Sequence, residues 1–276
     1  MILSTADSLY GFFGPEAANI GRQFHERYIS AQPFPHIVLD DFLSEEILDR
    51  CLCDFPSHSS SHISYDRAQE RGKFEFKPDT LSAPLRSLFY SFNSAPFILF
   101  LENLTGIRGL IPDPYFAGGG LHEVVNGGHL NIHADFNHQE ILNLERRLNV
   151  LIYLNRDWRE EYGGCLELWD QLMLKCVERV VPSFNRCVIF NTSPTSYHGN
   201  PEPVNHPSNL SRRAIALYYY TASWSDSRHP RNTRFQRRAN SADAFDLKVR
   251  TKELVESVTP PILLRAIRGV LRRLHC

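Results

Sequence analysis

No two of the six cysteines, Cys51, Cys53, Cys165, Cys176, Cys187 and Cys276, form a CxxC pair or a zinc spacing, which excludes a zinc ribbon. Long apolar runs are missing as well. No stretch approaches about 18 consecutive apolar residues, so no membrane-spanning helix is expected. The segment Met1 to Gly14 lacks the positive start and unbroken apolar stretch of a secretory signal. These absences lead to the expectation of reduced thiols in a cytoplasm. Repeats and low-complexity tracts are lacking too, which excludes a solenoid or a disordered chain. Net charge is scarce at −1, but the sum conceals an asymmetry: 12 of the 30 Lys and Arg residues lie from Arg228 onward, against four acids. A basic tail can bind nucleic acid, an anionic membrane or the protein's own acidic body. No other feature supports nucleic acid.

The 276 residues are long for one domain and short for two, which suits one β-rich domain with helical extensions. Pro15 sits where a first helical turn tolerates it, and Ile20, Phe24 and Tyr28 recur every four residues, so 15–30 reads as an amphipathic helix. Ile37-Val38-Leu39 reads as a short strand. Ser44 before Glu45-Glu46 reads as the N-cap of a second helix, which buries Ile47, Leu48, Cys51 and Leu52. Residues 56–80 are polar and mixed and read as a long loop of the kind that often forms a lid. From Leu130 the texture changes to short apolar or alternating runs over 130–135, 148–154, 165–169, 173–180, 186–190 and 214–221. Such spacing argues for a sandwich, jelly roll or barrel. Gly118-Gly119-Gly120 and Gly163-Gly164 fit tight turns between strands.

Within the first of these runs, Leu130, Ile132 and Ala134 alternate with Asn131, His133 and Asp135. Residues i and i+2 of a strand share a face, so His133 and Asp135 can reach one ion. Two imidazoles and a carboxylate on one face of a metal, with adjacent positions open, are what a non-haem iron oxygenase needs. His138-Gln139-Glu140 is a second match to the same tripeptide, but it lies in a polar stretch and reads as a solvated loop. The third ligand has to come from a distal strand. His198 follows the apolar run 186–190 and the turn-prone Asn191 to Pro194; its competitor, His206, lies among Pro201, Pro203 and Pro207 and reads as a surface loop residue. His122 and His129 precede His133 in glycine-rich surroundings and could support the site. The run Arg212 to Tyr220 is strongly β-prone, and alternation sends one of Arg212 and Arg213 inward and the other out. A buried arginine suits a carboxylate, because its planar fork binds two oxygens and stays charged.

As a set, these residues resemble the prolyl 4-hydroxylase-like branch of the Fe(II)/2-oxoglutarate-dependent dioxygenase superfamily. The elements are His133-Ala134-Asp135, Arg147 ahead of Leu151-Ile152-Tyr153-Leu154-Asn155, Gly163-Gly164-Cys165-Leu166, His198, and Arg212-Arg213-Ala214-Ile215, in that order over 127–221. Two departures are visible: Pro201 to Leu210 reads as an insertion, and Leu130 stands where many prolyl hydroxylases carry a tyrosine. The resemblance implies a mainly β fold with flanking helices, a double-stranded β-helix of jelly-roll, cupin-like form. It implies His133, Asp135 and His198 as metal ligands and catalytic centre, and Arg212 with Tyr153 as the residues that bind 2-oxoglutarate. Fe(II), 2-oxoglutarate and O2 are the implied cofactor and cosubstrates, with ascorbate as an accessory reductant. The implied reaction hydroxylates an unactivated C–H bond of a peptidyl or prolyl side chain, an amino acid, or a glycan or lipid-linked metabolite, releasing succinate and CO2. A non-redox cupin-type metal enzyme and a catalytically inactive jelly-roll binding protein are the competing readings.

The expected organisation is one oxygenase domain over 1–227, with its β core at about 127–221, and a basic extension over 228–276. In that extension Leu263, Ile267, Val270, Leu271 and Leu274 fall on one helical face and Arg265, Arg268 and Arg272 on the other. A helix of this kind either packs on the barrel or a partner subunit, or lies peripherally on an anionic membrane.

Overall fold

The computed structural model describes residues 1–3, 5, 6, 11, 12, 14–224, 230–239, 241 and 243. The amphipathic stretch 260–274 lies outside the described residues. Two short strands, β1 (Thr5–Ala6) and β2 (Gly11–Phe12), pair with each other ahead of helix α1 (Gly14–Ile29). Strand β3 (His36–Leu39) and helix α2 (Glu45–Cys53) follow, and the Ser44 side chain accepts the Ile47 N–H at 3.4 Å as the N-cap expected of it.

Residues 56–80, expected as a loop, instead form a hairpin of β4 (Ile63–Arg67) and β5 (Glu70–Phe76) docked along the edge of the main sheet. Its composition misleads because its inward residues, Lys73 and Glu75, are charged and satisfy each other at 2.8 Å. A polar strand of that kind has the composition of a loop. Helices α3 (Ala83–Phe92) and α4 (Ala95–Thr105) complete the helical layer, each with proline in its first turn.

The remaining strands are β6 (Ile111–Pro112), β7 (Gly120–Ala134), β8 (His138–Gln139), β9 (Leu144–Tyr153), β10 (Leu166–Trp169), β11 (Cys176–Val180), β12 (Cys187–Asn191), β13 (His198–Asn200), β14 (Arg212–Thr221) and β15 (Arg234–Phe235). The main sheet runs in the order β11-β10-β13-β7-β14-β9-β12-β3, antiparallel throughout, with β6, β8 and β15 paired to β14, β9 and β7 off this path. This is the double-stranded β-helix. The long β7 belongs to both walls: its first half pairs with β14 and its second half with β13.

Period-two alternation divides the core. On β14, Ile215, Leu217 and Tyr219 face the helices and join Phe97, Phe100, Val150 and Ile189 in the larger cluster. Ala214 faces the barrel interior, where it packs with Tyr153, Leu166, Leu168, Val188 and Phe190. Arg212 shares that inward parity.

Candidate metal and cosubstrate site

His133 and Asp135 stand at the end of β7, and register pairs His133 directly with His198 at the start of β13. Both imidazoles are oriented by their own strands. His133 Nδ1 donates to the Asn131 carbonyl and His198 Nδ1 to the Ser196 carbonyl, each at 2.9 Å. A carbonyl only accepts, so Nδ1 carries a proton in both rings and Nε2 is the nitrogen turned towards the cluster. The two Nε2 atoms lie 3.6 and 3.5 Å from the Asp135 carboxylate, and one ligand atom from each of the three buried residues falls within 4.8 Å of the others.

The carboxylate is itself clamped. Asn149 Nδ2 donates to Oδ2 at 2.7 Å, and Arg146 Nη2 approaches the same oxygen at 3.2 Å. Burial alone would raise the Asp135 pKa, but Arg146 and the two histidines override it and hold the group well below the usual carboxylate range. Burial also pushes His198 down to about 4, partly opposed by Asp135, so the imidazole is neutral at physiological pH. An ionised carboxylate and two imidazoles in one buried cluster match the donor set of a mononuclear iron site.

Deeper in the barrel, Arg212 on β14 is buried; its Nε donates to the Gly164 carbonyl at 2.7 Å and its Nη2 to the Tyr153 hydroxyl at 3.2 Å. Gly164 adopts φ +66°, and an added Cβ would come within 2.9 Å of Arg212 Cδ, so glycine here provides both the turn and the room for the arginine. No described carboxylate pairs with this guanidinium. A buried cation without an anion is costly, and a dicarboxylate inserted between Arg212 and the histidines would relieve that cost. Asn200, two residues beyond His198, adds a buried amide nitrogen with no partner. The residues present therefore fit 2-oxoglutarate.

Arg213 points outward to Glu123 at 3.0 Å, so parity is resolved in favour of Arg212. His138 lies away from the triad, stacked on Trp224 at 4.2 Å and bonded to Asn143. His206 is not at the triad either, but it is no surface residue: its ring is buried against Tyr162 and Trp158, at 4.5 and 5.2 Å. The 201–210 stretch folds back onto the bend of β7, where Val204 exchanges backbone hydrogen bonds with Gly127 and Gly128. That packing is what the proline pattern conceals.

Several site residues escaped the sequence reading. Arg146, and not Arg147, points to Asp135, because β9 bulges opposite Tyr219 and Tyr220 and pairs Tyr220 with Arg146. Lys73 and Glu75 come from the supposed loop, beside His122, which burial and Lys73 push down to about 4. Phe235 on β15 lies in register with His133, ring centroids 5.5 Å apart, while Arg231 donates to the Asp135 carbonyl at 3.2 Å. No local pattern marks these last two.

Comparison with known proteins places this geometry. Residues 119–220, which contain all three triad residues, Tyr153 and Arg212, match the family described as the 2OG-Fe(II) oxygenase superfamily. Over these residues the chain is similar to that superfamily. The chain is also similar to the prolyl 3-hydroxylase OGFOD1 of Mus musculus, 34% identical over 82 residues; the match covers 28% of this chain and only 15% of that protein's length. Among solved structures, the fold resembles a Trichoplax adhaerens prolyl hydroxylase in complex with a hypoxia-inducible-factor peptide (TM-score 0.52, 16% identity, 75% of this chain and 91% of that one). It also resembles a Pseudomonas putida prolyl-4-hydroxylase (TM-score 0.51, 13% identity, 73% and 99%). A third is HygX from Streptomyces hygroscopicus with nickel and 2-oxoglutarate bound (TM-score 0.50, 9% identity, 73% and 87%).

Proposed function

We propose that the chain is an Fe(II)- and 2-oxoglutarate-dependent dioxygenase that hydroxylates an unactivated C–H bond. The observation that carries this reading is the pairing of a His-Asp-His cluster with a buried arginine that no described carboxylate satisfies. A non-redox cupin has no need of that second feature. His133, Asp135 and His198 would hold the metal on one face, and Arg212 with Tyr153 would hold the far carboxylate of 2-oxoglutarate. When bound, the iron and 2-oxoglutarate supply, with O2, the oxidising chemistry that turns C–H into C–OH and releases succinate and CO2.

The chain's own groups prepare that centre. The Asn131 and Ser196 carbonyls hold Nδ1–H of both rings and so orient both Nε2 atoms towards the cluster. Arg146 and Asn149 both engage Asp135 Oδ2 and so fix the rotation of the carboxylate beside the two imidazoles. Tyr153, which bonds the arginine, belongs to an apolar cluster with Leu166, Leu168 and Phe190, and an apolar surround strengthens the attraction of a buried cation for an anion.

Succinate formation from 2-oxoglutarate, measured with Fe(II), without it and with a chelator, tests the reading. Iron-dependent turnover that rises when a candidate substrate is added is the expected result. Metal-independent activity, or failure to bind 2-oxoglutarate, would reject it.

A further inference from the structure

A cavity of about 430 Å³ opens beside the triad at the same end of the barrel, lined by Arg147, Asn191, Thr192, Ser193, Gln171 and Phe34, among others. It is within the size range of small-molecule sites. Two contacts join it to the proposed metal site. Arg231 Nη2 donates to the Ser193 carbonyl on the cavity wall at 3.5 Å and to the Asp135 carbonyl at 3.2 Å, so one guanidinium separates the two spaces. On the other side, Phe34 packs on Phe190, and Phe190 packs edge-on against His198 at 4.6 Å.

The one charged group on the wall of this cavity is the Arg147 guanidinium, set among the neutral side chains of Gln32, Gln171, Asn191, Thr192 and Ser193. Arg147 is half-buried; its one described side-chain hydrogen bond is a long one, 3.3 Å, to the Thr221 hydroxyl, and no described carboxylate pairs with it. Glu145, at the far end of that hydroxyl chain, is engaged by Ser223. Thr192 Oγ1 is buried with no partner. The Tyr28 hydroxyl donates to Asn191 Oδ1 at 2.8 Å, which fixes the carboxamide and leaves its nitrogen as a further donor. A guanidinium on the wall of such a space, with no described carboxylate beside it and with neutral hydroxyl and amide side chains around it, matches a carboxylate or phosphate.

We infer that this cavity binds an anionic group of the substrate, carboxylate or phosphate, and anchors it while another part of the molecule lies over the metal. The inference rests on the proposed oxygenase reading, which makes this end of the barrel the substrate side. The class of substrate is then an anionic one.

The test uses the full chain loaded with Zn(II) and saturated with 2-oxoglutarate, so that Arg212 is occupied. Broadening of the ³¹P line of inorganic phosphate and of the ¹H line of acetate is titrated against protein. Wild type is expected to broaden at least one of the two, and the stronger probe identifies the anion as phosphate or carboxylate. Arg147→Gln should weaken that binding about tenfold, and Arg147→Lys should restore part of it, with 2-oxoglutarate affinity unchanged in both. No broadening by wild type, or equal broadening by Arg147→Gln, overturns the inference. If Arg147→Gln also loses 2-oxoglutarate, Thr192→Val replaces it: a twofold or greater weakening supports the site, and wild-type affinity overturns it. The oxygenase reading fails on a different result, 2-oxoglutarate binding that is absent or indifferent to Arg212→Gln.

Discussion

Arg146 Nη2 lies 3.2 Å from Asp135 Oδ2, and its guanidinium also stacks on the Tyr218 ring, 3.6 Å from the centroid. The arginine thus fixes both the charge state and the rotation of the carboxylate proposed to bind the metal. Residues that orient a ligand in this way typically change metal affinity or activity 10- to 100-fold when removed. Arg146→Gln should lower Co(II) affinity by about that factor, read from the visible absorption of the Co(II) protein under anaerobic conditions. An affinity equal to wild type would show that Asn149 alone positions Asp135.

Substituting the triad separates ligands from bystanders. His133→Ala, Asp135→Ala and His198→Ala should each abolish Fe(II)-dependent turnover in a protein that still unfolds cooperatively. His206→Ala should retain metal binding but lower the thermal midpoint, because the ring is buried between Trp158 and Tyr162. Wild-type turnover in His198→Ala would remove it from the ligand set.

Adjacent arginines on β14 should behave oppositely. Arg212→Ala loses a buried charge-assisted contact of about 1.5 to 3 kcal/mol, which corresponds to roughly 10- to 150-fold weaker 2-oxoglutarate binding. Arg213→Ala should leave that affinity intact and reduce stability instead, since it strips a partner from the buried Glu123 carboxylate. Calorimetric titration and urea unfolding of both variants check the pair. The reverse ranking would mean that β14 is out of register by one residue.

The buried His122 predicts an acid limit to stability. Its pKa is pushed down to about 4 by burial first and by Lys73 second, against the opposing pull of Glu75. In the unfolded chain it titrates near 6.5, so its contribution is complete above that pH and is lost as pH falls towards 4, by about 3 kcal/mol in total. Urea unfolding at pH 7 and pH 4.5 should therefore show a smaller loss in His122→Asn than in wild type. Equal slopes would assign the acid sensitivity elsewhere, His198 in the metal-free protein being the next candidate.

Much of the proposed centre is legible in one dimension because strands encode their faces with period two. Alternation in 130–135 is enough to put His133 and Asp135 on one side of a strand, and alternation in 212–220 is enough to oppose Arg212 to Arg213. The two glycines before Leu166 mark a turn whose left-handed backbone only glycine adopts cheaply, and the structure gives both positive φ. These are local rules, and local sequence obeys them.

What only the tertiary structure decided depends on pairing between distant segments. The choice of Arg146 over Arg147 follows from a bulge between β9 and β14, and a bulge belongs to two strands at once. Lys73 and Glu75 read as loop residues until the hairpin docks on β7 and makes each the other's partner. His206 looks solvated until the 201–210 stretch folds onto the bend of β7, and Phe235 has no meaning until β15 pairs beside His133. By itself the sequence determined the barrel and the types of group it carries. Which of those groups meet was decided by long-range strand register, for which neighbouring residues hold no record.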